Sequence, residues 1–267
     1  MSADIRPRFR SRPKPSHRQE ESHMPQPSTD RYDICQKADA IHGWLKMVTS
    51  RRTVDILHWQ EAQGYTGNLM EIGVMCGKYF SLMVDSAMRT GDTVLGIDTF
   101  QYANEKRVVT ELTGVFGKAV TDRFKLWRRQ SNTVSATELT HAIGRPRFIS
   151  VDGAHDFENV YRDMELAEQV VSHKGVISAD DFLNPLTLGV NQAINAFLSR
   201  PRAVVPVAFV ANKLFLVHRS VEEEYRAAIE EMIRDGKDAE AEAFKQRATH
   251  GRHHIEQDFH GHKVLIG

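Results

Sequence analysis

From Asn68 onward, short apolar segments alternate with helical ones, and no other feature of the chain narrows its fold so far. "NLMEIG" (68–73), "TVLGID" (93–98), "FKLWRRQ" (124–130), "RFISVD" (147–152) and "GVISAD" (175–180) have the length and composition of strands. Between them lie stretches with helical spacing: Gly77 to about Met88, about 103–121, and "FENVYRDMELAEQVVSHK". Strands joined through helices run parallel, with helices packed on the sheet faces. "AVVPVAFV" (203–210) and "KLFLVHR" (213–219), joined at Ala211-Asn212, read as a hairpin that adds an antiparallel edge.

The expected fold class is therefore α/β: a Rossmann-like, doubly wound, mostly parallel sheet of seven strands with an antiparallel C-terminal hairpin. Ahead of it, "ICQKADAIHGWLKMV" and "RTVDILHWQEAQ" read as two helices closed by Gly64 and Gly67. The chain divides into a basic Pro-rich tail (1–30), an N-terminal helical cap (31–65), the sheet domain (66–219), and a C-terminal helix with a polar tail (220–267). Residues 1–30 hold five of the nine prolines and few aliphatic side chains, so they read as disordered, with Met24 a candidate physiological start.

Composition excludes several function classes. Lys plus Arg and Asp plus Glu both number 35, so no net charge asks for nucleic acid or an anionic membrane. No apolar run is long enough to cross a bilayer, and no apolar segment near the start resembles a secretory signal. Two cysteines, Cys35 and Cys76, make no disulfide framework, and a cytoplasmic location is expected.

In such a sheet, ligands bind at the carboxyl ends of the strands. Asp98, Asp152, Asp180 and Asp181 all fall there, as does the turn Glu71-x-Gly73-x-x-x-Gly77. Gly73 permits a tight turn and close approach to a ligand. The spacing is not G-x-G-x-x-G, and no second glycine admits a pyrophosphate. An acid inside the strand suits a cationic ligand, and Asp98, about 25 residues on, can take both hydroxyls of a ribose.

On the glycine turn, Asp98 and the alternation, residues 66–219 resemble a class I S-adenosylmethionine-dependent methyltransferase. The resemblance implies that Glu71, Gly73 and Gly77 hold the methionine part of S-adenosylmethionine and that Asp98 holds its ribose. It places Gln130 and Ser131, in "RRQSN", at the adenine, and puts Asp152 on the cofactor's rim as well.

The two neighbouring strands 147–152 and 175–180 bring Asp152, Asp180 and Asp181 towards one point, where three unpaired carboxylates would repel. A divalent cation removes that penalty. Oxygen ligands without cysteine favour Mg²⁺, with Mn²⁺ and Ca²⁺ as alternatives. His155, three residues past Asp152, is placed to take a proton from a metal-bound hydroxyl. "DGAHDFENVYRD…GVISADDF" resembles a narrower group, the metal-dependent sugar O-methyltransferases of the macrocin and mycinamicin type. That resemblance implies Mg²⁺ on Asp152, Asp180 and Asp181, His155 as general base, a small-molecule hydroxyl acceptor and a homo-oligomer. Three other readings stand beside it: a phenolic or catechol-type O-methyltransferase, a non-catalytic cofactor-binding protein, and a nicotinamide-dependent dehydrogenase.

The remaining polar residues are read as structural. Asp156 and Asp163 are expected at the helix start and surface, and His141 and His173 on the surface. The tail "HGRHHIEQDFHGHKVLIG", with five histidines, is read as a polar segment ending in an apolar strand. Trp44, Trp59, Tyr102 and Phe182 are candidates for an apolar wall over the acceptor. "VEEEYRAAIEEMIRDGKDAEAEAFKQR" is expected to be one charged helix, solvated or in contact with another copy.

Overall fold

The computed structural model describes residues 30–267. The tail expected to be disordered and the alternative start at Met24 lie outside the described residues, apart from Asp30. Among the described residues, nine strands form one sheet: β1 (Leu69–Ile72), β2 (Val94–Asp98), β3 (Phe124–Arg128), β4 (Phe148–Val151), β5 (Val176–Ala179), β6 (Val204–Val210), β7 (Lys213–His218), β8 (Glu256–Phe259) and β9 (His262–Ile266). Their spatial order is β3-β2-β1-β4-β5-β7-β6-β9-β8. The first five pair in parallel, and β7 is antiparallel to both β5 and β6.

Burial explains why these segments are strands. β1, β4 and β5 are buried at every position, as parallel strands covered on both faces must be. Successive residues alternate between two cores: Leu69, Val94, Phe148 and Val176 face one, and Met70, Leu95, Ile149 and Ile177 the other. Helices α3 (Phe80–Thr90) and α4 (Glu105–Phe116) cover the first face. Helices α5 (Ala136–Ile143), α6 (Phe157–Val170) and α7 (Leu188–Leu198) cover the second.

The sheet has nine strands where seven are expected: the apolar strand read at the end of the tail joins it as β9, and β8 is the strand that the sequence pattern does not indicate. The C-terminal tail folds into a β8–β9 hairpin, and β9 adds in parallel to β6 at Ala208 and Phe209. Its two-residue turn, His260-Gly261, has both residues at positive φ (51° and 80°), the backbone that suits a tight hairpin. Pro206 lies on β6 beyond these paired residues, so its missing N–H costs no bond to β9. Residues 220–267 are therefore continuous with the main core through Tyr225, Ile229, Ile233, Phe244 and Leu265.

Helical boundaries also differ. The first cap helix stops early: α1 is Asp33–Asp39, and α2 is Met47–Ala62. Between them Gly43 has φ +146°, and the intervening loop carries Trp44, 85% exposed. The charged C-terminal helix is two, α8 (Glu222–Asp235) and α9 (Ala239–Thr249). The break falls at Gly236, and the Asp238 side chain accepts from Ala241 N to cap α9. α8 is not solvated all round, because Tyr225, Ala228, Ile229 and Ile233 are buried. Among the described residues, no helix is long and apolar enough to cross a membrane.

Candidate active site

The strand order reverses between β1 and β4, which makes their carboxyl ends the expected ligand crevice. Gly73 ends β1 there with φ +87°. A Cβ at this position would lie 1.8 Å from the carbonyl oxygen of Asp152. Glycine is thus required twice over, by the left-handed backbone and by contact with the end of β4. Gly77 follows at φ +90°, where a Cβ would press on Val108 at 3.3 Å.

Asp98 fastens this turn. One of its oxygens accepts from the amides of Val74 and Met75, both at 2.8 Å, and the other accepts from Phe100 N at 2.6 Å. Met75 and Phe100 are themselves at positive φ, 50° and 54°. Asp98 therefore holds the loops after β1 and β2 together while remaining partly exposed at the rim. Gln130 is exposed and Ser131 half-buried after β3. These two stand at the same edge of the sheet as Asp98, whose strand pairs with β3 through Asp98 and Arg128.

Glu71 behaves differently from the rim acids. It is 1% exposed, and its Oε1 has no hydrogen-bond partner. Burial pushes its pKa up to about 8, against the lowering influence of Lys213 and Ser150. A raised carboxyl pKa stabilises the fold at low pH, and that contribution disappears as pH rises through the folded value. From an ordinary value of 4.5 to about 8, Glu71 therefore weakens the protein progressively. Glu71→Gln should remove this slope, up to about 1.4 kcal/mol per pH unit within that window. Urea unfolding of both proteins at pH 5 and pH 8 checks it, and parallel pH curves would contradict it.

Lys213 is the functional residue that the sequence reading missed. It opens β7, and the β6–β7 turn places it at the carboxyl end of β5, with Ala179 opposite Leu214. Its side chain is 1% exposed. Nζ lies 2.6 Å from Asp180 Oδ2, 4.0 Å from Asp152 Oδ2, and 4.2 Å from the centre of the Tyr79 ring. The contact with Asp180 is an ion pair whose hydrogen-bond alignment is poor. Burial disfavours the ammonium, but Asp180 and then Asp152 outweigh it and hold Lys213 charged. The two acids divide their roles. Burial and the Asp180 charge push Asp152 well above the usual carboxylate range. Asp180, against the cost of its burial, is held low by Lys213 and by a hydrogen bond from Asp152. Asp152 is thus the acid held towards its neutral form and Asp180 the one held towards its charged form.

Asp181, at φ +55°, points its carboxylate elsewhere. Oδ1 accepts from Asn184 Nδ2 at 2.9 Å and Asn212 Nδ2 at 3.3 Å. Oδ2 lies 3.3 Å from His155 Nε2. The His155 side chain is 50% exposed at the rim. A carboxylate behind one imidazole nitrogen orients the ring. This pair can accept a proton from a bound hydroxyl.

The three acids thus do not form an open oxygen cage for Mg²⁺, Mn²⁺ or Ca²⁺. An ammonium stands at Asp180 and Asp152, and both oxygens of Asp180 and of Asp181 already face N–H groups or cationic side chains. Among the described residues, no group of three or more His, Cys, Asp or Glu side chains is arranged to hold a metal ion. The metal assignment fits these residues poorly, and no chemical step is derived through a metal.

Other expectations resolve at the same edge. Asp156 caps α6, accepting from Asn159 N at 3.1 Å. Asp163 is not a surface acid: it is 1% exposed, and burial pushes its pKa to about 6. Its Oδ2 would lie 3.1 Å from a Cβ added to Gly153. His141 and His173 are exposed. Of the aromatic candidates, Trp59 packs on Tyr65 and Tyr225, and Phe182 on Phe209 and Phe259. Trp44 and Tyr102 remain exposed, at 85% and 86%, as do Leu183 and Leu186 after β5.

Residues 70–182, which span the glycine turn, Asp98 and the β4–β5 acids, match the family model described as a methyltransferase domain. By that match, residues 70–182 form a methyltransferase domain. Solved structures share this fold at low identity. The O-methyltransferase NovP is 15% identical with a TM-score of 0.55, over 65% of this chain and 81% of that one. Cofactor-bound Rv0187 from MTB is 13% identical with a TM-score of 0.52, over 71% and 88%. CalS11, a TDP-rhamnose 3'-O-methyltransferase of calicheamicin biosynthesis, is 17% identical with a TM-score of 0.50, over 64% and 79%. No curated protein matches the chain in sequence. The methyltransferase domain covers the parallel half of the sheet, and Lys213 reaches its acids from outside the matched segment.

Proposed function

We propose that this methyltransferase domain moves a methyl group from S-adenosylmethionine to a hydroxyl of a small molecule, a sugar or other natural-product acceptor. The observation that carries the reading is the His155–Asp181 pair, poised at the carboxyl edge beside the β1–β4 switch point. The residues suit the cofactor: Glu71 Oε1 is an orphaned buried acceptor beneath the glycine turn, which a cationic ammonium would satisfy. Asp98 would hold the ribose, and Gln130 and Ser131 would flank the base. When bound, S-adenosylmethionine supplies an electrophilic methyl on a sulfonium, with a thioether as leaving group.

The chain's own contribution is positioning and proton transfer. An oxygen nucleophile must be held about 3 Å from its target and aligned with it. His155 accepts the hydroxyl proton at its exposed edge, and Asp181 stabilises the imidazolium that results. Exposed Trp44 and Tyr102 offer flat apolar faces to a sugar or phenolic ring. The same proposal places the protein in the cytoplasm, in keeping with the free, buried thiols of Cys35 and Cys76. It includes assembly of several copies, and a reaction with neither nucleic acid nor membrane.

The test incubates the protein with methyl-labelled S-adenosylmethionine and a panel of glycosides and catechols, following S-adenosylhomocysteine and labelled ether. Label appearing on a hydroxyl oxygen supports the reading. Label found only on nitrogen or carbon acceptors would exclude it.

A further inference from the structure

Lys213 has no place in the resemblance that led to a metal, yet it is among the largest fully buried side chains of the protein. An internal ammonium survives only beside compensating negative charge. Here that charge is the pair that the sequence reading assigned to a divalent ion. We propose that Lys213 is the permanent counter-ion of the Asp152–Asp180 pair and stands in for a divalent metal, so that the site operates without one. This inference rests on the methyl-transfer reading for its chemistry, although its physical basis is independent of it.

The geometry leaves an ion little to bind. Mg²⁺ requires oxygen ligands at about 2.0–2.1 Å and Ca²⁺ at about 2.3–2.6 Å. Lys213 Nζ is already 2.6 Å from Asp180 Oδ2, and a cation placed among the same oxygens would face an ammonium at close range. Asn212, the residue before Lys213, donates to Asp180 Oδ1 at 2.7 Å and to Asp181 Oδ1 at 3.3 Å. Adjacent residues of one turn thus fix both acids that follow β5. Lys213 is a positioning residue: it holds Asp180, and the shared Asn212 contact relates Asp180 to the Asp181 that faces His155.

A consequence for the acceptor follows. A metal site selects vicinal oxygens, because chelation needs two. A site that relies on His155 and Asp181 alone requires a single hydroxyl, so simple monohydroxy acceptors should be methylated as readily as vicinal diols.

The experiment titrates Mn²⁺ into EDTA-stripped, dialysed protein and reads free Mn²⁺ by electron paramagnetic resonance. Only uptake that disappears in Asp180→Asn is counted, because the histidine-rich tail could bind ions of its own. The wild type should show no such uptake up to about 1 mM, while Lys213→Met, freed of the ammonium, should take one equivalent at least about tenfold more tightly. One equivalent bound by the wild type below about 100 μM and lost in Asp180→Asn would overturn the proposal. If Lys213→Met does not fold, the wild-type titration beside Asp180→Asn decides alone. S-adenosylmethionine binding, measured calorimetrically with and without EDTA, separates the two readings. Cofactor binding without site-specific Mn²⁺ supports both. Site-specific Mn²⁺ together with cofactor overturns this inference and leaves methyl transfer standing. No cofactor binding and no Mn²⁺ supports the counter-ion role while removing the methyl-transfer reading.

Discussion

Gly73→Ala should be the most damaging glycine-to-alanine substitution among the described residues. The added Cβ would meet the Asp152 carbonyl at 1.8 Å. That atom belongs to the backbone at the end of β4, so no rotamer change relieves the overlap. The φ of +87° adds a left-handed penalty of about 1–2 kcal/mol. Relief requires β1 and β4 to separate at the point where Asp152 N bonds to Ile72 O at 2.8 Å. The combined loss should exceed about 3 kcal/mol, within the range reserved for strain at a special backbone position. Urea unfolding of the variant measures it. A loss below about 1 kcal/mol would mean that the turn is less tightly joined to β4 than the structure shows.

His155→Ala should lower turnover by about 10²–10⁴-fold, the usual contribution of a positioned general base. The side chain is half exposed and makes its polar contact with Asp181, so stability should change little. Cofactor affinity should also be unchanged, because His155 stands beyond the glycine turn and Asp98. A KM-against-kcat comparison with S-adenosylmethionine as the varied substrate separates these effects. Unchanged kcat would remove His155 from the chemistry, and a large rise in cofactor KM would move it to the binding site.

Apart from the charged and partly exposed β3, the parallel strands were legible because each is a short apolar run bounded by polar or glycine residues, and the tertiary structure keeps those runs buried. The rim acids were legible because strand ends and carboxylates coincide in the sequence. What escaped was mostly adjacency across the sheet. Lys213 lies 33 positions from Asp180, and only the antiparallel return of β7 past β5 brings them together. The sequence did carry a signal: a lysine opens an otherwise apolar strand, at the end of the hairpin that must face the strand ends. Asp163 was similarly readable, since Val160, Met164 and Ala167 place it on the buried face of α6. β8 is harder to find, because Glu256–Phe259 has no fully buried residue and becomes a strand only by pairing with β9. Its one local sign is the His260-Gly261 turn.

Calorimetric titration of S-adenosylmethionine probes the proposed cofactor site of Glu71, the glycine turn and Asp98 itself. The wild type should bind with a dissociation constant in the micromolar range, about −8 kcal/mol, whether or not EDTA is present. Asp98→Ala removes three backbone contacts of the turn along with the proposed ribose acceptor, and should abolish the heat. Equal binding by the wild type and Asp98→Ala, or no binding by either in a folded protein, would contradict the account.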